Sequence, residues 1–394
     1  MSWEAMKLRD CCKKIGSGAT PKGGAAVYIE KGIALIRSQN VYNLSFDYNG
    51  LTHITEDAAQ KLNGVTVQQD DILLNITGDS VARVCIVPNN VLPARVNQHV
   101  AILRTKENVD AKYLLYYLAS PYMQAYMLNL AVGKGASRNA LTKGMIENFP
   151  IVLPSMNVQG KICQILSTYD DLIENNQKQI KILEEVAQRL YKEWFVDLRF
   201  PGYENTPIVD GVPEGWRKER LVDIADVQYG YAFDGSFFNS NGNGMPIIRI
   251  RNIPNGITKD FTSEKANQQY IVKNGDIVVG MDGEFHINSW SGSSAYLVQR
   301  TCRIKPNNSN MKGWLLQAIY EPIKYFENTV VGATVAHLGK KHIDTIILLT
   351  APPKFYEPFQ QYFNKRQILL NQNQLLAEAR DRLLPKLISG ELEV

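Results

Sequence analysis

The longest periodic run of apolar positions lies between Ser155 and Asp197. Core-type residues recur at Ile162, Ile165, Tyr169, Leu172, Asn176, Ile180, Leu183, Ala187, Leu190 and Trp194. Their steps alternate between three and four, which sets them along one face of a single helix. No Pro or Gly interrupts the run after Gly160. A helix of that span is roughly 50–60 Å long, too long to bury itself in one small domain. A narrow stripe on so long a helix calls for a helical partner. The chain offers one between Phe355 and Leu387, with a stripe through Phe359, Tyr362, Leu369, Leu376, Leu383 and Leu387. The two stretches share words: Asn176-Gln177 resembles Asn371-Gln372, and Arg189-Leu190 resembles Arg382-Leu383. Asn176 and Asn373 fall beside the stripes, where a polar residue either fixes helix register or points to solvent. The pattern alone leaves both open.

Before the first long helix, Ile33–Ile36, Asp71–Ile76, His99–Leu103 and Phe149–Pro154 read as strands, and Tyr113–Leu130 as a helix. The stretch 199–215 holds three Pro and three Gly and reads as a linker. The order then starts again. Gly32-Ile-Ala-Leu-Ile-Arg-Ser-Gln-Asn40 matches Gly244-Met-Pro-Ile-Ile-Arg-Ile-Arg-Asn252. Asp71-Ile72 with Gly78 matches Asp276-Ile277 with Gly283, and Leu114-Leu115 matches Leu315-Leu316. Gly135-Ala136-Ser137 with Leu141 matches Gly332-Ala333-Thr334 with Leu338. These matches keep one order along the chain, as an internal duplication requires. The expected architecture is a mixed α/β (α+β) fold of two similar globular units, joined by two long antiparallel helices in a coiled coil with pseudo-twofold symmetry. The expected boundaries are 1–154 and 216–352 for the units, 155–198 and 353–394 for the helices, and 199–215 for the linker.

Composition narrows the class. The chain has 394 residues, 45% hydrophobic and 21% charged, the profile of a globular protein with sizeable cores. A net charge of +4 permits a nucleic-acid partner without arguing for one. Five cysteines with no CxxC spacing fit a reduced, cytoplasmic protein. No apolar run is long enough to span a membrane. No Walker loop, GxGxxG fingerprint, HExxH pair or nucleophile elbow occurs. Asp70-Asp71 and Asp276 precede apolar strands and read as turn or strand-start residues. His337 and His342 read as one loop and one helix histidine. Metal is therefore not expected, and the sequence points to a binding or assembly protein.

Several segments carry a family resemblance: GIALIRSQNVY and GMPIIRIRNI, DILLNITG, the FPIVLPSMNVQGKICQIL entry to the first long helix, its LYKEWF exit followed by VPEGW, and the terminal RDRLLPKLISGELEV. Across essentially its whole length the chain resembles the specificity subunit of Type I restriction–modification systems. Two segments depart from the pattern, Ala351-Pro352-Pro353-Lys354 at the second helix entry and Met281-Asp282-Gly283 in place of Ile76-Thr77-Gly78.

The resemblance implies two target-recognition domains, each reading one half of a split site on double-stranded DNA. It implies a helical spacer that docks two modification (methyltransferase) subunits and, through them, restriction (translocase and nuclease) subunits. No catalytic residue is then expected in this chain. S-adenosylmethionine, ATP and Mg²⁺ would belong to partners. The DNA-contact candidates are Lys13, Lys14, Lys22, Arg37, Gln39, Asn40, Lys134 and Arg138 in the first unit. In the second they are Arg249, Arg251, Asn252, Lys340 and Lys341. Arg and Gln are the expected readers of guanine and adenine, and short basic glycine loops approach phosphates. Gln39 and Arg251, which differ between the repeats, suit readout better than the shared Arg37 and Arg249. Helix-pairing candidates are Ile165, Leu172, Asn176, Leu183, Leu190, Trp194, Tyr362, Leu369, Leu376 and Leu383. A cryptic enzyme and a DNA-independent adaptor are the competing readings.

Overall fold

A computed structural model describes residues 3–132, 139–329 and 336–394. The chain divides into two units, Met1–Asp171 with Ala377–Val394, and Leu172–Leu376. Each is described in turn.

In the first unit, six strands carry the frame: β1 (Cys12–Ser17), β2 (Ile33–Ile36), β3 (Ile72–Asn75), β4 (Val84–Ile86), β5 (Ala94–Val96) and β6 (Val100–Thr105). An antiparallel sheet has the order β4-β3-β6-β1. β3 is buried at every position, its apolar run 72–74 as periodicity requires and Asn75 with them. In a second sheet β2 pairs with β5 in parallel. Glu4–Lys7 pairs with Pro150–Leu153, so the start of the unit is sewn to its end. The helix expected over Tyr113–Leu130 is broken into Ala111–Ala119 and Pro121–Ala131. Ser120 caps the second piece by accepting from the Met123 N–H, and Pro121 takes the first helical position, where it loses no hydrogen bond.

The second unit repeats the plan with β7 (Ala225–Tyr229), β8 (Met245–Ile248), β9 (Ile277–Gly280), β10 (Ile287–Ser289), β11 (Ala295–Leu297) and β12 (Thr301–Pro306). Its antiparallel sheet runs β7-β12-β9-β10, and β8 pairs with β11 in parallel. Arg217–Arg220 pairs with Ile347–Thr350, the counterpart of the first unit's closing pair. The internal repeat read from sequence is thus a repeat of topology. The stretch 199–215 carries a small hairpin, Ile208–Val209 with Val212–Pro213, and Phe200 is buried in the unit's core.

The long helices are α1 (Met156–Tyr191) and α2 (Glu357–Ser389). α1 begins in the first unit and ends in the second; α2 begins in the second and ends in the first. Within the second unit they run antiparallel. Trp194, past the end of α1, stands edge-on to Phe355 and Phe359 at 5.9 and 6.0 Å, while Glu184 meets Arg366 further along. Within the first unit, Val158, Ile162 and Leu166 share a core with Leu384, Leu387 and Ile388. There Arg380 Nη1 donates to Asp170 Oδ1 at 2.6 Å.

The stripe is not uniformly buried. Ile165, Leu183, Leu190, Trp194, Tyr362, Leu376 and Leu383 are half-buried and Leu369 is buried, but Leu172 is 45% exposed. A straight helix drifts from a strict heptad, so a residue read onto the seam by spacing can rotate off it. Asn176 is buried, and the Asn373 Oδ1 is buried without a hydrogen-bond partner among the described residues. Asn176 is thus off the solvent edge, while Asn373 is half-buried. After Tyr191 the helix widens into a π turn, Lys192–Val196, closed by Asp197 N–H donating to Lys192 O at 2.8 Å. The wider turn sets Phe195 against Trp216, Trp314 and Phe359, with ring centroids 4.9–5.8 Å away.

Candidate nucleic-acid interface

The loop after β2 and the loop after β8 are built alike. In the first, Asn40 Oδ1 accepts the Arg37 N–H at 3.0 Å and the Asn40 N–H donates to Arg37 O at 2.9 Å. In the second, Asn252 and Arg249 repeat both bonds at 2.8 Å. The shared Arg…Asn spacing therefore encodes a tight turn. Asn40 is completely buried, and its Nδ2 is spent on Asp47 O and Asn49 O. It is a loop staple and is not offered to a ligand, contrary to its place among the DNA-contact candidates. Asn252 is half-buried and donates to Asp260 Oδ2 at 3.2 Å, a similar use.

Arg37 Nη2 and Gln39 Nε2 both donate to Gly50 O, at 2.9 and 3.2 Å. The fold thus brings these two together, with Gln39 exposed and Arg37 half-buried. Arg249 lies over the Phe238 ring at 5.6 Å. Arg251 grips Asp260 with two nitrogens, Nη2 at 2.7 Å from Oδ1 and Nε at 3.2 Å from Oδ2, and stays 61% exposed. Burial acts to raise the Asp260 pKa, but hydrogen bonds from Arg251 and Asn252 and the two arginine charges outweigh it, leaving the carboxyl below its usual range.

The lysines are scattered. Lys13 and Lys22 are exposed. Lys14 is tied into the fold, donating to Gly64 O at 2.8 Å, and burial together with Arg104 lowers its pKa. Lys340 and Lys341 are exposed on the short helix Lys340–Ile343. Lys134 and Arg138 lie outside the described residues. Asp71 and Asp276 are turn residues, as expected. Each is buried and accepts the backbone N–H three residues earlier, Gln68 at 2.7 Å and Lys273 at 2.9 Å. Asp71 is further held by Arg104 at 2.7 Å.

Sequence reasoning missed a second convergence in each unit. In the first, Thr77, just past β3, is hydrogen-bonded through Oγ1 to His99 Nδ1 at 2.6 Å. His99 precedes β6, and Ala140 bridges to Thr77. In the second, Asp282, just past β9, receives His337 Nδ1–H at 2.5 Å and an N–H of Arg300. Burial pushes the Asp282 pKa up, but the His337 and Arg300 hydrogen bonds and charges more than offset this and the carboxyl sits low. The signal was present in the departure of Met281-Asp282-Gly283 from Ile76-Thr77-Gly78. Its partners, tens of residues away, were not readable. Beside both places a glycine passes under a strand end. A Cβ at Gly18 would lie 2.0 Å from Val96 O, and one at Gly230 would lie 2.1 Å from Val298 O. These glycines answer to protein backbone, with no appeal to phosphate.

Among the described residues no cluster of His, Cys, Asp and Glu could hold a metal ion, and no helix is long and apolar enough to cross a membrane.

The family model for the Type I restriction modification DNA specificity domain matches residues 1–185 and again 213–373. Over its whole length the chain is 27% identical to the Type I restriction enzyme MjaIX specificity subunit of Methanocaldococcus jannaschii, covering 94% of that protein. It is 21% identical to the Type I restriction enzyme HindI specificity subunit of Haemophilus influenzae, over 91% of this chain and 94% of that one. The crystal structure of the S subunit of a Type-I restriction-modification system from M. genitalium matches with a TM-score of 0.55 at 15% identity, over 98% of this chain and 96% of that chain. At that identity the likeness is one of fold.

Proposed function

We propose, for a chain that belongs to the Type I restriction modification DNA specificity family, that it reads a bipartite DNA site, one half with each unit, and directs partner subunits to it. The observation that carries this reading is the duplicated frame with unlike side chains. Arg37–Asn40 and Arg249–Asn252 hold the same turn, yet Gln39 stands where the other unit has Arg251. Two similar readers in one chain suit two different half-sites at a fixed separation.

The chain is read as having no catalytic centre of its own. Modification subunits would dock on α1 and α2, and restriction subunits through them. Exposed apolar side chains on these helices, Ile182 and Val186 on α1 and Ile368 and Leu375 on α2, suit a protein partner. S-adenosylmethionine, ATP and Mg²⁺ would then be held by partner chains, and the assembly would work in the cytoplasm. A specificity subunit that clamps the duplex would present a target adenine for the modification subunit to flip out and methylate.

The test is methylation mapping. The chain is co-expressed with the modification subunit encoded beside it, in a host free of DNA methylation, and methyl-adenine is located by sequencing. The expected result is a split motif, two short fixed halves around a fixed unspecified gap. Folded, associated proteins that leave the DNA unmodified would favour the adaptor reading.

A further inference from the structure

We propose that Arg300 is a base-reading side chain of the second unit. Its guanidinium is fixed by Asp282 so that its remaining N–H donors meet a base edge with two acceptors, as guanine presents in the major groove. This rests on the DNA-specificity reading above and adds to it a residue and a base.

The frame around Arg300 is the same in both units. Ile76 N–H donates to His99 O at 3.0 Å, and Met281 N–H donates to Arg300 O at 2.9 Å. Leu141 N–H donates to Ile76 O, and Leu338 N–H to Met281 O, both at 2.8 Å. Gly78 N–H donates to Asn139 O, and Gly283 N–H to Ala336 O, both at 3.0 Å. These bonds place Thr77 with Asp282, His99 with Arg300, and Ala140 with His337. All three side chains differ while these three backbone bonds are kept, and the backbone itself departs at one of the positions, since Arg300 has a positive φ and His99 does not. The contrast with Asn40 and Asn252 is direct, since positions that serve the fold kept their residue through the duplication. Positions that change together while the surrounding backbone bonds are kept answer to something outside the fold.

The state of Arg300 itself points the same way. Its φ is +69°, in the left-handed region that a side chain other than Gly, Asn or Asp seldom enters. Such conformations persist where the surroundings enforce them, and they cluster at functional sites. The side chain is 62% exposed, yet it is anchored by a carboxylate that is only 11% exposed. An exposed arginine free of such a tether samples many rotamers; this one is held before any ligand arrives, which lowers the ordering cost of binding. Anchoring uses part of the five-donor fork and leaves other N–H groups free for a bidentate contact. Gly230, Met281, Gln299, Arg300 and His337 line one cavity of about 450 Å³. The Tyr229 hydroxyl, on the same wall, is buried with no hydrogen-bond partner among the described residues.

The experiment uses the complex of this chain with its modification subunit. Methylation mapping of the unaltered complex comes first; absence of a split motif there refutes the specificity reading itself, before any variant is made. With the motif in hand, synthetic duplexes carrying it and each single base-pair change are titrated with the Arg300→Gly complex. Glycine removes the guanidinium and accepts the left-handed backbone, and Arg300→Asn is the second variant, since Asn also tolerates that conformation. The expected result is a loss of roughly tenfold to hundredfold in affinity for the cognate duplex. Discrimination should disappear at one G·C pair of one half-site while the other half is read as before. Equal weakening on every duplex would mark a phosphate contact and overturn the proposal. So would unchanged discrimination by a folded variant that still assembles.

Discussion

Arg366 Nε on α2 donates to Glu184 Oε1 on α1 at 2.6 Å, and the same guanidinium donates to Ser289 Oγ at 2.6 Å and Asn288 Oδ1 at 2.8 Å. One side chain thus ties both long helices of the second unit to the end of β10. Gln367 extends the link, with Ser289 Oγ–H donating to its Oε1 at 2.9 Å and its Nε2 donating to Trp290 O at 3.0 Å. Arg366→Ala removes the donor to the buried Ser289 Oγ and one of the two donors to the half-buried Asn288 Oδ1, which keeps the Ser289 N–H. The cost is about 1–3 kcal/mol, carried by the buried Ser289 hydroxyl. Glu184→Gln, whose carboxylate is half in solvent, costs under about 1 kcal/mol. Urea titration of the two variants should give that order, and equal midpoints would contradict it.

The two loop asparagines are unequal in burial, so their removal should be unequal in effect. Asn40 is fully buried and makes five hydrogen bonds, three through its side chain and two through its backbone. Asn40→Ala should lower stability by about 2 kcal/mol, and Asn252→Ala by about 1 kcal/mol. Thermal unfolding of each variant checks the ranking. A change in DNA preference by Asn40→Ala without loss of stability would contradict its role as a staple.

Gly18 and Gly230 test the strand crossings. With carbonyl oxygens 2.0 and 2.1 Å from a Cβ at these positions, alanine forces the backbone apart. Each Gly→Ala change should cost about 1–3 kcal/mol, the usual scale of overpacking. Gly16, where a Cβ meets nothing within 4 Å, is the control and should tolerate alanine. Comparison of the melting temperatures of the three variants decides.

All five cysteines are buried. Burial pushes the Cys11 thiol up to about 11, and those of Cys12, Cys85 and Cys302 to about 12. An unfolded chain releases these protons from about pH 8.5 upward, while the folded chain holds them. Their contribution to stability is therefore complete below about pH 8.5 and is lost as pH rises toward the folded values. Urea midpoints measured at pH 8 and pH 10.5 should fall, and Cys85→Ala with Cys302→Ala should flatten the fall. Thiol reagents at neutral pH should react slowly until denaturant is added.

The periodic features of the chain are written in its residues. A stripe with steps of three and four gives α1 and α2, because helical geometry repeats within a few residues of the chain. The apolar runs 72–74 and 277–279 give β3 and β9. The ordered matches from Gly32 to Leu141 and from Gly244 to Leu338 give the duplication. Asp71 and Asp276 were legible as turn residues for the same local reason, since each bonds three residues away. What is set by contacts between distant segments was not legible. Spacing put Leu172 on the buried seam, but the rotation of α1 leaves it exposed. Asn40 looked like a surface reader, but its partners at Asp47 and Asn49 bury it. The joining of Asp282 to Arg300 and His337 spans up to 55 residues, and no local pattern encodes that distance. Only the tertiary structure brings those loops together, because the pairing of β9 with β12 and the return of the chain at Ala336 decide which side chains meet.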